Sequence, residues 1–147
     1  MRKTKLVILC LLVVTLIAGT AGVFFYKAPN QVFQRIYPFE LPVSSHIIQS
    51  DYSILHNSAS MKIELNKDEF TIVESKFRQY FGGNPGISDY STLPHHENSC
   101  SWWDLDEDEI VFAYIDSSSG KLVKTKTSYA IATKNDNDLY YLYVIFY

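Results

Sequence analysis

The sequence predicts an α+β domain that follows an N-terminal transmembrane helix. Two observations carry this prediction: an uncharged apolar run follows the first five residues, and one helix-spaced segment has strand-like segments on both sides of it. Strands on both sides of a single helix favour an antiparallel β-sheet with the helix packed on one face. We expect about five strands, with a meander in the second half of the chain, because the connections there are short.

The N-terminal segment has the length of a bilayer-spanning helix. After the basic start MRKTK, residues 6–25 carry no charge, and a helix of this length spans about 30 Å. A cleaved signal peptide usually has a shorter apolar core of about 7–15 residues, although the small residues 19–21 resemble a cleavage site. Because apolar residues 23–25 continue beyond that site, the sequence favours an uncleaved anchor.

The basic residues around this segment predict its orientation. Arg2, Lys3 and Lys5 precede it, whereas only Lys27 follows closely. The positive-inside rule then keeps the N-terminus in the cytoplasm and places the C-terminal domain outside. The predicted location is the cell membrane, with a single span through residues 6–25, or the exterior as a secreted protein if the segment is cleaved.

The chain divides into an anchor (1–25), a juxtamembrane connector (26–45) and an extracytoplasmic α+β domain (46–147). Prolines interrupt regular structure in the connector. Apolar residues within 32–37 predict one short helical turn, which lies either at the membrane surface or against the domain.

The spacing of apolar residues predicts the elements of the domain. Residues 60–65 alternate between apolar and polar side chains, as in a strand with one wet face. Asn66 and Glu69 match a capping box, so a helix begins there and runs over about 67–81. Its apolar stripe consists of Phe70, Val73, Phe77 and Phe81, which indicates packing on a sheet rather than a cofactor site. The other strands are predicted at 46–57, 110–115, 121–134 and 139–147, with turns at 57–59, 116–120 and 135–138.

The charge of the chain excludes one class of partner. Without the three basic residues before the span, ten basic and sixteen acidic residues remain. Since phosphate contacts need Lys and Arg, we expect no nucleic-acid binding. The same balance predicts repulsion from anionic lipid and complementarity to a basic protein partner.

Residues 94–109 form the predicted contact loop for such a partner. Trp102 or Trp103 would anchor the contact, since tryptophan is enriched at binding hot spots and also stacks on sugars. The alternative is that both rings pack over the sheet edge. The partner would be another envelope protein, a toxin that the protein neutralises, or a wall component. The charged rim of the loop runs from residue 104 to 109 and includes Asp104, Asp106, Glu107 and Asp108.

One thiol and two imidazoles lie near this loop. Cys100 with His95 or His96 has the chemistry of a nucleophile and its base, so a thiol-dependent enzyme is the second hypothesis. The same three residues are possible zinc ligands, but no second ligand pair has the spacing of a zinc finger. A buried, unreactive cysteine is the alternative for Cys100. The other cysteine, Cys10, lies within the predicted span.

The alternating acids of the loop resemble the start of a calcium loop without completing it. A calcium loop that began at Asp104 would need glycine at its sixth position and an acid at its twelfth, and these are Glu109 and Ile115. We therefore predict no metal and no cofactor. The sequence alone does not determine the function, and a purely structural domain is the third hypothesis.

Overall fold

The protein folds as an N-terminal helix followed by one mixed α+β unit. Five of its elements are strands and three are helices among the residues that the computed structural model describes, which are 2–53, 55–56, 58–83, 102, 105, 109–120 and 123–147. The elements, in chain order, are α1 (Arg2–Tyr26), α2 (Pro29–Ile36), β1 (His46–Ser53), β2 (Ser58–Leu65), α3 (Lys67–Tyr80), β3 (Ile110–Gly120), β4 (Val123–Lys134) and β5 (Tyr140–Phe146).

The five strands form one antiparallel sheet in the order β1-β2-β5-β4-β3. After α3 the chain reaches the far edge of the sheet at β3, and the meander β3-β4-β5 then returns to pair with β2. This arrangement confirms the predicted α+β class, the five strands and the meander. The pairing of β2 with β5 is the long-range contact that joins the two halves of the chain.

Helix α3 begins with the predicted capping box. The Asn66 side chain accepts hydrogen bonds from the backbone N–H groups of Asp68 and Glu69, both at 3.0 Å. The Glu69 carboxylate accepts one from the Asn66 N–H at 2.7 Å. These bonds satisfy N–H groups that have no partner within the helix. The helix ends where Gly82 and Gly83 adopt positive φ angles of 68° and 81°, a conformation that costs glycine little.

The main core lies between α2, α3 and one face of the sheet, which we call the inner face. Phe77 of α3 is fully buried, and its ring centroid lies 4.8 Å from that of Tyr37 and 4.9 Å from that of Phe39. Edge-to-face contacts at these distances stabilise aromatic pairs beyond the area that they bury. Val32 and Phe33 of α2 are buried in the same cluster. Of the two expectations for the connector helix, packing against the domain is the one observed.

The opposite, outer face of the sheet carries a second and smaller core. Ala113, Ile131 and Tyr143 occupy one row across three strands and are buried there. Leu105 packs against this cluster. The alternation predicted for the last strand is confirmed, since Leu142 lies in the inner cluster while Tyr143 lies in the outer one. The alternation predicted for residues 60–65 is also confirmed, since Met61, Ile63 and Leu65 are buried and the residues between them are half-exposed.

The predicted strand boundaries were wrong in three places. β1 ends at Ser53 rather than at residue 57, because the Ser53 hydroxyl accepts a hydrogen bond from the His56 N–H and begins the turn. β2 starts at Ser58, where cross-strand pairing recruits two residues predicted as turn. β3 continues to Gly120 because β4 pairs with residues 116–118 and, after a shift in register, with Gly120. Pairing between strands therefore overrides the local turn preference at β2 and β3, whereas a local turn ends β1 early.

Helix α1 is long and apolar enough to span a membrane, over Ile8–Tyr26. None of the side chains in that stretch is buried against the rest of the protein. The predicted anchor segment is therefore a helix whose side chains from Ile8 to Phe25 are all exposed, and its last residue, Tyr26, contacts Arg35 and Tyr52.

We predict that Phe77→Ala lowers the free energy of unfolding by about 3–5 kcal/mol, because it leaves a cavity at the centre of the inner core. Urea denaturation in mild detergent, followed by tyrosine and tryptophan fluorescence, measures the change. Ile72→Ala is the control, since Ile72 lies on the exposed side of the same helix and its loss should cost under about 1 kcal/mol. Equal losses in the two variants would contradict the assigned packing of α3.

Candidate functional site

The structure describes three residues of the predicted contact loop, Trp102, Leu105 and Glu109. Trp102 lies in a turn, is half-buried and makes at least one contact with the protein, and Glu109 is exposed next to the start of β3. Leu105 is half-buried against the outer-face cluster. The loop therefore approaches the sheet on its outer face at Leu105, immediately before β3 begins at Ile110.

The other predicted site residues lie outside the described residues. This applies to the second tryptophan, the acidic rim and the thiol–imidazole group, which are Trp103, Asp104, Asp106, Glu107, Asp108, Cys100, His95 and His96. The contact loop and the thiol-enzyme hypothesis both stay predictions. Within the part of the chain that the structure describes, no group of three or more His, Cys, Asp or Glu side chains is arranged to hold a metal ion.

A cation–π cluster, which we call the Tyr–Arg–Tyr cluster, joins the end of α1 to the sheet. The Arg35 guanidinium carbon lies 3.7 Å from the ring centroid of Tyr26 and 5.3 Å from that of Tyr52. Arg35 also donates a hydrogen bond to the Tyr26 backbone carbonyl. The two tyrosine rings are 5.9 Å apart, and the Tyr52 hydroxyl donates to the Tyr26 hydroxyl at 3.4 Å. An arginine that stacks on one ring and hydrogen-bonds a carbonyl holds the chain in a defined geometry.

This cluster brings together residues from three elements: Tyr26 ends α1, Arg35 lies in the last turn of α2, and Tyr52 is the penultimate residue of β1. Sequence reasoning did not identify it. Tyr26 and Tyr52 are 26 residues apart in the sequence. No helical or strand periodicity relates positions that far apart, so the sequence alone does not predict their contact. The only local signal is the short α2 with proline at its start, which folds the chain back and places Arg35 beside Tyr26.

A second group of polar residues lies deeper, at the same end of the inner face, and we call it the buried tyrosine cluster. Tyr37 is fully buried, and its hydroxyl has no hydrogen-bond partner of good geometry among the described residues, although the Ser128 side chain lies beside it. Nearby, the Tyr80 hydroxyl donates to the Asp116 carboxylate at 2.9 Å. Asp116 and Ser128 are directly paired across β3 and β4.

Burial sets the protonation state of this cluster. Loss of solvent raises the pKa of Tyr37 well above its ordinary value, and the Asp116 charge raises it further. Burial and the bond to Asp116 also raise the pKa of Tyr80. Both hydroxyls are therefore protonated at neutral pH and cannot act as general bases there. The Tyr37 hydroxyl is thus a neutral group within the core, whereas the Tyr80 hydroxyl belongs to a more exposed side chain that donates to Asp116.

Comparisons of this chain with protein-family models, with curated proteins and with solved structures find no match. The functional proposal consequently depends on the physical features of the chain: the exposed apolar helix, the cluster that joins it to the sheet, and the contact loop.

We predict that Tyr37→Phe makes the protein more resistant to alkaline unfolding. The pKa of Tyr37 is raised in the folded state. Its contribution to the free energy of unfolding is therefore fully present at pH values below the unfolded-state pKa of about 10. Above that pH the unfolded chain loses its proton first, so the free energy of unfolding falls by up to about 1.4 kcal/mol per pH unit. Phenylalanine removes this contribution.

Urea denaturation in detergent at pH 7 and between pH 10 and 11.5 measures the effect. At pH 7 the variant should match the natural protein or gain about 1 kcal/mol, since the substitution removes a buried hydroxyl without a good partner. An unchanged alkaline slope would show that Tyr37 reaches solvent.

Proposed function

We propose that the protein is a single-span membrane protein that displays a small binding domain outside the cytoplasm, close to the bilayer. The observation that carries the proposal is α1, whose side chains from Ile8 to Phe25 are exposed in the part of the chain that the structure describes, while its last residue contacts the folded domain. The binding activity is assigned to the contact loop at 94–109, with a protein that carries a basic surface as its partner.

The length and bonding of α1 suit a bilayer. Its 19 uncharged residues from Ile8 to Tyr26 span about 28 Å, close to the hydrocarbon thickness of about 30 Å. The hydroxyls of Thr15 and Thr20 donate to the carbonyls of Leu11 and Leu16, at 2.8 and 3.1 Å. These polar groups are satisfied within the helix, as a segment surrounded by lipid requires.

The ends of the helix support the proposed orientation. Arg2, Lys3 and Lys5 at its start favour a cytoplasmic N-terminus. Phe25 and Tyr26 at its other end are exposed aromatic residues, the class enriched at membrane–water interfaces. Both features favour an exported C-terminal domain.

A topology experiment tests the anchor. We expect a reporter enzyme that requires export, fused after Tyr147, to be active, and the full-length protein to stay in the membrane pellet after alkaline carbonate washing. Replacing Leu12 and Leu16 with lysine should release the chain or block its insertion, because charges at the centre of the span are costly. A fluorescent cytosolic reporter at Tyr147, or recovery of the natural chain in the soluble fraction, would refute the proposal.

A capture experiment tests the contact loop. In intact membranes, crosslinking followed by purification should recover a stoichiometric partner, and replacement of Trp103 by alanine together with Asp104, Asp106 and Asp108 by asparagine should reduce its recovery at least tenfold. The reason is loss of the aromatic anchor and of the complementary charge.

The control variant also removes three negative charges, but at other positions on the surface. It carries asparagine at Asp51, Asp136 and Asp138, all exposed, and it should capture the partner normally. Thermal unfolding of both variants should match that of the natural protein. If the loop variant and the control recover equal amounts of the partner, residues 94–109 are not the binding site.

A further inference from the structure

One end of the sheet adjoins the end of the proposed membrane span. Tyr52, next to the last residue of β1, contacts Tyr26 at the end of α1 through the Tyr–Arg–Tyr cluster. The turn that follows β1 contains Leu55, which is 94% exposed. Because α1 ends at Tyr26, this turn lies at the end of the sheet that is nearest the proposed bilayer.

The register of the sheet shows which residue of each of the five strands lies at that same end. Tyr52 pairs with Ala59, Ala59 with Phe146, Phe146 with Ser128, and Ser128 with Asp116. We call these five residues the membrane-proximal row.

Strands β3 and β4 continue past this row, whereas their neighbour β5 stops there. The last contact between β4 and the residue that follows β5 is a pair of backbone hydrogen bonds between Thr127 and Tyr147, at 2.9 and 3.1 Å. Residues 118–120 of β3 and 123–126 of β4 then pair only with each other among the described strands. Five residues at about 3.3 Å each give an extension of about 16 Å beyond Ser128. We call this extension the β3–β4 overhang.

The charge of the overhang is opposite to that of the rest of the domain. Between Asp116 and Asp136 the sequence contains no acidic residue and four lysines, two of which, Lys124 and Lys126, occupy β4 positions in the overhang. The rest of the chain after the span is strongly acidic. The strand positions of the overhang thus include two lysines and no acid, at the end of the sheet that adjoins the end of α1.

We propose that the β3–β4 overhang docks on the anionic phospholipid headgroups of the bilayer that holds α1. The proposal rests on the membrane anchor proposed above. Lysines near an anionic surface are attracted within about one Debye length, and the exposed Leu55 adds an apolar side chain at the same end. The acidic remainder of the domain is repelled by the same surface, so the two effects orient the domain with the overhang towards lipid and the acidic part away from it.

Hydrogen exchange measured by mass spectrometry tests the docking with the full-length chain in lipid nanodiscs. One set of discs contains zwitterionic phosphatidylcholine, and the other contains phosphatidylcholine with 30% phosphatidylglycerol. In the anionic discs, we expect amides of residues 117–127 to exchange at least threefold more slowly, and the difference should disappear in 0.5 M salt because screening removes the attraction. Equal exchange in the two lipids at low salt would overturn the proposal.

A matched pair of variants separates local charge from net charge. Lys124→Gln with Lys126→Gln should abolish the lipid-dependent protection. Lys67→Gln with Lys134→Gln removes the same charge at the opposite end of the sheet, where Lys134 pairs with Tyr140, and should retain it. Equal effects of the two variants would show a response to net charge and overturn the docking site.

The experiment gives different results when the anchor proposal is wrong and when only the docking proposal is wrong. If the chain does not co-elute with the nanodiscs, the proposed span is wrong and the docking proposal, which depends on it, is wrong as well. If it co-elutes but residues 117–127 exchange equally in both lipids, the span stands and the docking proposal alone is wrong.

Discussion

The structure depends on one layer of aromatic side chains between the helices and the inner face of the sheet. Tyr37 and Phe39 from the connector contact Phe77 of α3, and Phe77 in turn contacts Phe112 and Tyr114 of β3. These rings come from segments far apart in the chain, and each buries a large apolar area only when the others are present. The layer therefore couples the connector, α3 and the far edge of the sheet in one core.

Because the connector belongs to this core, α1 is not joined to the domain by a free linker. Phe33 is buried in the core, and two residues later Arg35 stacks on Tyr26 at the end of α1. Packing of α2 thereby determines where the chain leaves the domain. It also determines which end of the sheet lies nearest the proposed bilayer, and both the orientation of the domain and the proposed lipid contact depend on this.

The positions of the charged residues predict more about the contacts of the domain than its net charge does. The excess of acids after the span predicts repulsion from anionic lipid for the domain as a whole. The register of β3 with β4 nevertheless gathers lysines into an extension free of acidic residues, at the membrane-proximal end. Together with the contact loop proposed at 94–109, the proposed lipid contact would give one domain two surfaces of opposite charge.

The sequence by itself determined the features that depend on neighbours three or four residues apart or on simple alternation. These are the apolar span, the capping box of Asn66 with Glu69, the stripe through Phe77 and the faces of β5. Only the tertiary structure decided the rest: the pairing of β2 with β5, the extension of β3 to Gly120, the burial of the connector helix and the contact of Arg35 with two tyrosines. The reason is physical. Helical capping and amphipathicity arise within a few residues, whereas strand ends and aromatic clusters form only where distant segments meet and supply a partner.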